Sequence, residues 1–239
     1  MYSSKLLAIT CIFVVVFIQN CYADAISESD LRRAIFEHYD KLVRPVKNAA
    51  TAIPVTASLY PVAIKDVDVK DHIVKLDTWF YVKWHDDYLT WDPSSYGGLE
   101  ALRVPAEEVW IPDLTVYSGT PDTMTHPTVH TNVVVYANGT VLWVPPFTFK
   151  SRCPATENQV TDDHFKCTIS VGSWTYDVTL LDLHEKHEDV LEAAKVEAFQ
   201  DIHHEWTIES MHAKKGRRPS LKYVPVNHLF YQQAMHFYQ

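Results

Sequence analysis

The chain has 239 residues, 47% of them hydrophobic and 21% charged, a composition that supports a sizeable core and excludes a disordered or collagen-like polymer. A formal net charge of −9 excludes the clustered basic surface on which nucleic-acid binding relies, and favours attraction of cations. Length alone is compatible with a single all-β domain, since such units commonly reach about 200 residues.

At the N-terminus, Lys5 precedes the apolar run Leu6 to Ile18, and Cys21-Tyr22-Ala23 and Ala23-Asp24-Ala25 offer small residues at cleavage-site spacing. Residues 1–23 therefore read as a signal peptide, cut after Ala23 or Ala25, because the run is shorter than the ~20 apolar residues that cross a bilayer. Residues 24–239 form the expected mature domain, secreted and soluble, since later apolar stretches such as HLFYQQAMHFYQ are interrupted by His and Gln. Cleavage leaves Cys153 and Cys167, an even pair in an oxidising compartment, and predicts that they are bridged. Such a loop is worth about 3 kcal/mol on a chain-entropy account. Asn138-Gly139-Thr140 is a glycosylation sequon in a turn-like setting.

Ser27 or Ser29 is placed to cap a helix over about 28–43, in which Leu31, Ala34 and Ile35 share a face, ending before Pro45. The period then changes. Val55 to Ile64, Val67 to Leu76, Thr78 to Trp84, Val129 to Tyr136, Val141 to Val144, Thr168 to Val171 and Thr179 to Leu183 read as strands rich in β-branched and aromatic residues. Asp92-Pro93-Ser94-Ser95, Tyr96-Gly97-Gly98, Asn138-Gly139 and Pro145-Pro146 read as turns. Glu205 to Met211 and His228 to Tyr238 are further strands, and the basic run His212 to Pro219 reads as the exposed tip of the hairpin between them. One helix followed by many short strands predicts a β-sandwich or barrel.

Four segments and the cysteine pair carry a resemblance: Trp79 in TWFYVKWHDDYLTW, WIPDLTVY from Trp110 to Tyr117, the Cys153 to Cys167 loop with thirteen residues between, and GSWTYD from Gly172 to Asp177. In order and spacing these resemble the extracellular ligand-binding domain of Cys-loop receptors, the nicotinic acetylcholine receptors and soluble acetylcholine-binding proteins among them. The resemblance implies an all-β fold, a ten-stranded immunoglobulin-like β-sandwich with an N-terminal α-helix, and five identical or related subunits in a ring. It further implies a small amine-like or neurotransmitter-like ligand at the subunit interfaces. Tyr117, Trp174 and Tyr223 match the principal face, and Trp79, Val134, Leu142 and Val144 the complementary face. Trp84, Trp91 and Trp110 are read as structural, and Asp113 and Asp177 as polar supports.

Aromatic faces suit this chemistry because they replace the hydration of an ammonium by cation–π attraction, about 0.5 to 2 kcal/mol per good contact, with tryptophan the best face. Two departures stand out. No cysteine follows Cys167, so the adjacent pair at the tip of the family's binding flap is absent, and Gly216 to Arg218 fall near its first tyrosine. The Cys153–Cys167 loop, CPATENQVTDDHFKC, keeps Asp163 but has Val160-Thr161 where the family favours an aromatic followed by proline. Its polarity suits water, which favours a naturally soluble binding protein over the extracellular part of a channel lacking its membrane domain, or an interaction subunit with a degenerate site. No catalytic residue, cofactor or metal is expected: HEKHE from His184 is not the HExxH motif, and no nucleophile with an ordered base is visible. The stretch Glu185 to Asp189 reads as a solvated loop, with a loosely held divalent ion as the alternative, and His203-His204-Glu205 as further potential ligands.

Overall fold

A computed structural model describes residues 28–120, 130–153, 160–161, 164–185, 206–218 and 228–238. Helix α1 (Glu28–Phe36) buries Leu31 completely and is held by an Arg32–Glu108 ion pair of 2.5 Å. It stops seven residues short of the expected end. The Asp40 carboxylate accepts from Leu42 N at 2.9 Å, starting a turn, and Tyr39 is drawn inward to Asp86 at 2.7 Å. Both contacts compete with continued helix.

Twelve strand segments follow among the described residues: β1 (Ile53–Asp68), β2 (Ile73–Thr90), β3 (Ala101–Pro105), β4 (Leu114–Val116), β5 (Asn132–Tyr136), β6 (Asn138–Trp143), β7 (Pro146–Arg152), β8 (Val160–Thr161), β9 (His164–Ser173), β10 (Leu181–Glu185), β11 (Thr207–Arg218) and β12 (His228–Tyr238). They form a seven-stranded sheet, ordered β10-β1-β2-β6-β5-β3 with β7 also on β2, and a five-stranded sheet, ordered β11-β12-β9-β4 with β8 on β9. The expected sandwich with an N-terminal helix is the fold observed.

Strand β2 runs the length of the larger sheet because its side chains alternate from Ile73 to Asp86: Val74, Leu76, Phe80, Val82 and Trp84 face inward while Trp79, Tyr81 and Lys83 face outward. Its first half pairs with β7 and its second half with β6, which lie end to end along it. The expected turn at Pro145-Pro146 is only the junction of these two strands. Pro146 opens β7, where a missing N–H is tolerated, and the Pro145 carbonyl accepts from Phe80 N at 3.0 Å across the gap. The expected strand break near Val67 falls later, at residues 69–72. There His72 takes a left-handed φ of 53°, and its carbonyl accepts from Cys153 N at 2.8 Å.

The core between the sheets contains Leu59, Leu76, Phe149, Phe165, Ile169 and Phe237, all essentially inaccessible. Burying each such side chain contributes about 1.5–3 kcal/mol. Cys153 and Cys167 are disulfide-bonded, with Cα atoms 4.7 Å apart, joining the end of β7 to β9 in the opposite sheet. At the other margin, edge strands β10 and β11 are joined by side chains. Lys215 donates to Asp182 at 2.8 Å, and His184 lies 2.9 Å from the second carboxylate oxygen. Partial burial pushes the Asp182 carboxyl up, but Lys215 and His184 together outweigh it and hold the group below its usual range.

The basic run expected at a hairpin tip is instead part of β11. Gly216 is registered with Phe230 and Arg218 with His228, so the run is paired strand as far as Arg218, and residues 219–227, Pro219 among them, lie outside the described residues. The hairpin between β5 and β6 turns at Gly139, whose φ is +84°. A Cβ there would meet the Asp86 carbonyl oxygen at 2.6 Å, so both backbone conformation and space require glycine.

Asp86 is fully buried. Its carboxylate accepts from Tyr88 N at 2.9 Å, Leu89 N at 3.2 Å and the Tyr39 hydroxyl, while Tyr39 Oη accepts from Trp110 N at 3.0 Å. Burial, and then the neighbouring carboxylate, push the Tyr39 phenol far above its ordinary value. Because the folded value lies above the unfolded one, this stabilisation is complete below about pH 10 and is lost as pH rises beyond the ordinary tyrosine range. Thermal unfolding followed at pH 7, 9, 10 and 11 is expected to show a steep alkaline loss of Tm. In Tyr39→Phe that loss should be shallower, and stability at pH 7 lower by about 1–3 kcal/mol through the unpaired Trp110 N–H. Parallel pH profiles for the two proteins would contradict this assignment.

Candidate functional site

Trp174 sits at the bend that follows β9, and Asp113, just ahead of β4, organises the backbone around it. One carboxylate oxygen accepts from the hydroxyl of Ser173. The other accepts from Thr175 N at 2.7 Å and Thr175 Oγ1 at 2.6 Å, and the Asp113 carbonyl accepts from Trp174 N at 3.1 Å. Ser173 Oγ in turn accepts from Tyr176 N at 2.8 Å. Four consecutive residues are thus tied to Asp113, through its carboxylate or its carbonyl, or to Ser173, the direct partner of that carboxylate. Trp174 itself projects outward and is 67% exposed.

Tyr117 reaches the same place from the end of β4. Its hydroxyl donates to the Ser173 carbonyl, and its ring centroid lies 6.3 Å from that of Trp174 at an interplanar angle of 45°. Two electron-rich faces therefore stand together beside oriented carbonyl groups, chemistry suited to an ammonium. Asp113 acts as the expected polar support. Asp177 closes the following turn, its carboxylate accepting from Thr179 N at 2.9 Å.

The residues expected on the complementary face lie along the outer face of the larger sheet. Trp79 is 49% exposed and is registered with Tyr60 on β1 and Pro146 on β7. Val134 and Leu142 are cross-strand partners on β5 and β6, and Leu142 faces Lys83, which shares its side of β2 with Trp79. Val144, 40% exposed, occupies the junction of β6 and β7. The fold thus brings Tyr117 to Trp174, and gathers Trp79, Val134, Leu142 and Val144 on the other sheet. Tyr223 lies outside the described residues, as do His203-His204-Glu205 and most of the acidic stretch after Glu185.

Trp84 and Trp110 are buried and meet edge to face at 6.2 Å, and Trp91 donates from Nε1 to the Leu99 carbonyl at 2.6 Å, so all three serve packing. The positive charge expected near the flap is partly accounted for, since Lys215 is engaged by Asp182. Sequence reasoning missed Ser173 and Thr175 as supports of the tryptophan. It also missed Tyr60 and Tyr81, whose rings meet 6.2 Å apart beside Trp79. The alternation Trp79-Phe80-Tyr81 carried the signal for Tyr81; Tyr60 required the strand register.

The family model of the neurotransmitter-gated ion-channel ligand binding domain matches residues 28–233. Among similar proteins, the neuronal acetylcholine receptor subunit beta-3 of Homo sapiens is 34% identical over 192 residues, which cover 80% of this chain and 41% of that protein. Subunit non-alpha-3 of Carassius auratus is 37% identical over 156 residues, covering 65% of this chain and 33% of the relative. Subunit alpha-6 of Rattus norvegicus is 35% identical over 158 residues, covering 66% and 32%. The chain spans between about a third and two fifths of the length of these relatives. No helix among the described residues is long and apolar enough to cross a membrane. With its β-sandwich, its Cys153–Cys167 bridge and this match over most of its length, the chain belongs to the non-enzymatic, nicotinic-receptor-like Cys-loop family of neurotransmitter-gated ion-channel ligand-binding domains.

Proposed function

We propose that this chain is a secreted binding domain that assembles with copies of itself or related subunits into a five-membered ring and takes a small amine-like ligand between neighbours. Tyr117 and Trp174, with Tyr223 from the flap, supply the principal wall, and Trp79, Val134, Leu142 and Val144 of the adjacent subunit the complementary wall. Residues 1–23 act as the signal peptide and Asn138, exposed at the β5–β6 hairpin, carries a glycan.

The observation that carries this reading is the exposure of two tryptophans on different sheets, Trp174 at 67% and Trp79 at 49%, each supported by ordered neighbours. Large aromatic area left in water marks a surface that meets a partner or a ligand. A second reading, the extracellular part of a longer receptor subunit, draws on the fact that the chain spans no more than 41% of the relatives quoted. Both readings place ligand at the same interface and differ in whether the chain assembles alone. Light scattering on detergent-free protein separates them: a five-subunit mass supports the self-sufficient binder, and a monomer removes it.

Binding follows the tryptophans. Titration of the assembled protein with tetramethylammonium, read by tryptophan emission, is expected to weaken about fivefold or more for Trp174→Ala and for Trp79→Ala, the scale of one good cation–π contact. Trp174→Phe should lose less. Unchanged affinity in both alanine variants would remove the interfacial site.

Asp113 acts by positioning rather than by contact. Asp113→Ala is expected to cost about 1–3 kcal/mol in stability by leaving the buried Ser173 hydroxyl and the Thr175 N–H without their acceptor. It should also broaden and shift Trp174 emission while Trp174 remains present. A variant with wild-type stability and emission would show that the carboxylate does not hold this loop.

A further inference from the structure

Asn138-Gly139-Thr140 is the one Asn-X-Ser/Thr sequence in the chain, so any asparagine-linked sugar stands on the β5–β6 hairpin. Between Tyr136 and Thr140 the chain reverses over Ala137, Asn138 and Gly139, the last left-handed at a φ of +84°. The reversal is anchored on two sides. Ala137 N donates to the Glu100 carbonyl at 2.9 Å, and the Ala137 carbonyl accepts from Trp91 N at 3.1 Å. Asn138 Oδ1 accepts from Thr140 N at 2.9 Å. That contact commits the carboxamide oxygen to the turn and directs Nδ2, the atom that takes a sugar, away from it.

Sidedness decides what lies under the sugar. Val134 is paired with Leu142 and Val135 with Val141, so the next step of the register sets Tyr136 opposite Thr140. Val133, Val135 and Val141 are buried, and Tyr136, Asn138 and Thr140 therefore share the outer face. Tyr136 is 39% exposed, because its neighbours across the sheet, Ala101 on β3 and Thr140 on β6, are small. His85, on the far side of Thr140, is turned to Asp87 at 3.2 Å. An open aromatic ring thus stands two residues before the asparagine, on the same side of the sheet. N-acetylglucosamine presents a face of C–H bonds carrying partial positive charge, and the face of a tyrosine ring carries partial negative charge. Stacking the two removes apolar area of both from water and leaves the hydroxyls at the sugar's rim hydrated.

We infer that Tyr136 is the platform for the first N-acetylglucosamine on Asn138, and that the stacked sugar clamps the β5–β6 hairpin. The partner of this surface is a carbohydrate carried by the chain itself. The inference rests on the reading that Asn138 is glycosylated and adds a structural role for the sugar. Attachment joins Asn138 Nδ2 to the anomeric carbon, breaks that carbon's bond to the diphosphate of a lipid-linked donor, and passes the amide proton to the departing diphosphate. Because the hairpin is held before the sugar arrives, little ordering opposes the contact.

The test uses the full chain secreted from eukaryotic cells, with occupancy of Asn138 read from the mass of its peptide. One portion is trimmed enzymatically to the first sugar, and another is stripped entirely, which leaves an aspartate still able to accept from Thr140 N. The wild-type Tm is expected to be about 2–4 °C higher with one sugar than with none, the shift that one good aromatic contact gives a domain of this size. In Tyr136→Ser the difference should fall below about 1 °C, and Tyr136→Phe should keep it. An equal difference in Tyr136→Ser and the wild type overturns the inference and leaves the glycan in place. So does a wild-type gain that vanishes on trimming to the first sugar, or no gain at all, the result expected where a neighbouring subunit covers Tyr136. Should Tyr136→Ser not be secreted, Tyr136→Leu, which keeps apolar bulk and removes the ring face, takes its place. An unoccupied Asn138 overturns the glycosylation reading and this inference with it.

Discussion

Between Leu114 and Thr120 the backbone is hydrogen-bonded to both sheets, and the sandwich closes on this segment. On one side β4 pairs with β9, and Tyr117 N donates to the Ser170 carbonyl at 2.7 Å. On the other, Arg152 N donates to the Ser118 carbonyl at 2.8 Å and Thr120 N to the Lys150 carbonyl at 3.0 Å. The Ser118 hydroxyl lies at the crossing, accepting from Ser151 Oγ at 2.8 Å and from Ser170 N at 3.3 Å. The disulfide fixes the same margin covalently. Asp113 lies immediately before this segment and Tyr117 within it, so the element that joins the sheets also positions the Tyr117–Trp174 pair. The opposite margin is joined differently, through the Lys215–Asp182–His184 contacts between β10 and β11.

Strand parity divides the aromatic residues into those that build the core and those that stand in water. Trp79 and Trp84 lie five residues apart on β2, an odd spacing that puts them on opposite faces. Trp84 is buried against Trp110, and Trp79 stands in water. Trp110 also packs against Tyr176, two residues beyond Trp174, at 6.0 Å. Buried rings therefore lie beneath the strand that carries Trp79 and the bend that carries Trp174. A one-residue slip in β2 would exchange the two tryptophans, opening the core at Trp84 and burying Trp79.

Much of this was legible in the sequence. The change from helical to twofold periodicity after Pro45 gave the fold class, and the pairing of Cys153 with Cys167 was expected as the bridge that is observed. The segments WIPDLTVY and GSWTYD, singled out through their resemblance to the family, are the ones the fold brings together at Tyr117 and Trp174. What was not legible depended on partners distant in the chain. The end of α1 is set by Tyr39 reaching Asp86, 47 residues away. β7 was hidden because two prolines read locally as a turn, while its pairing with β2 is a long-range fact. The basic run entered β11 because β12 supplies a continuous ladder opposite it, which overrides the turn propensity of a Lys-Gly-Arg stretch. That Tyr60 lies beside Trp79 depends on the register of β1 with β2.

Gly139 shows how two unrelated requirements can meet in one tripeptide. Asparagine-linked glycosylation accepts nearly any residue between Asn138 and Thr140, proline excepted. Here the fold accepts only glycine, because a left-handed turn and the Asp86 carbonyl leave no room for a β-carbon. Replacing Asn138 or Thr140 would erase the sugar attachment signal while leaving the tight point of the hairpin as it is. Replacing Gly139 would keep the signal readable and misshape the hairpin that presents it. Among homologous sequences, the central glycine should therefore persist where the flanking residues drift, and its persistence would report packing rather than carbohydrate.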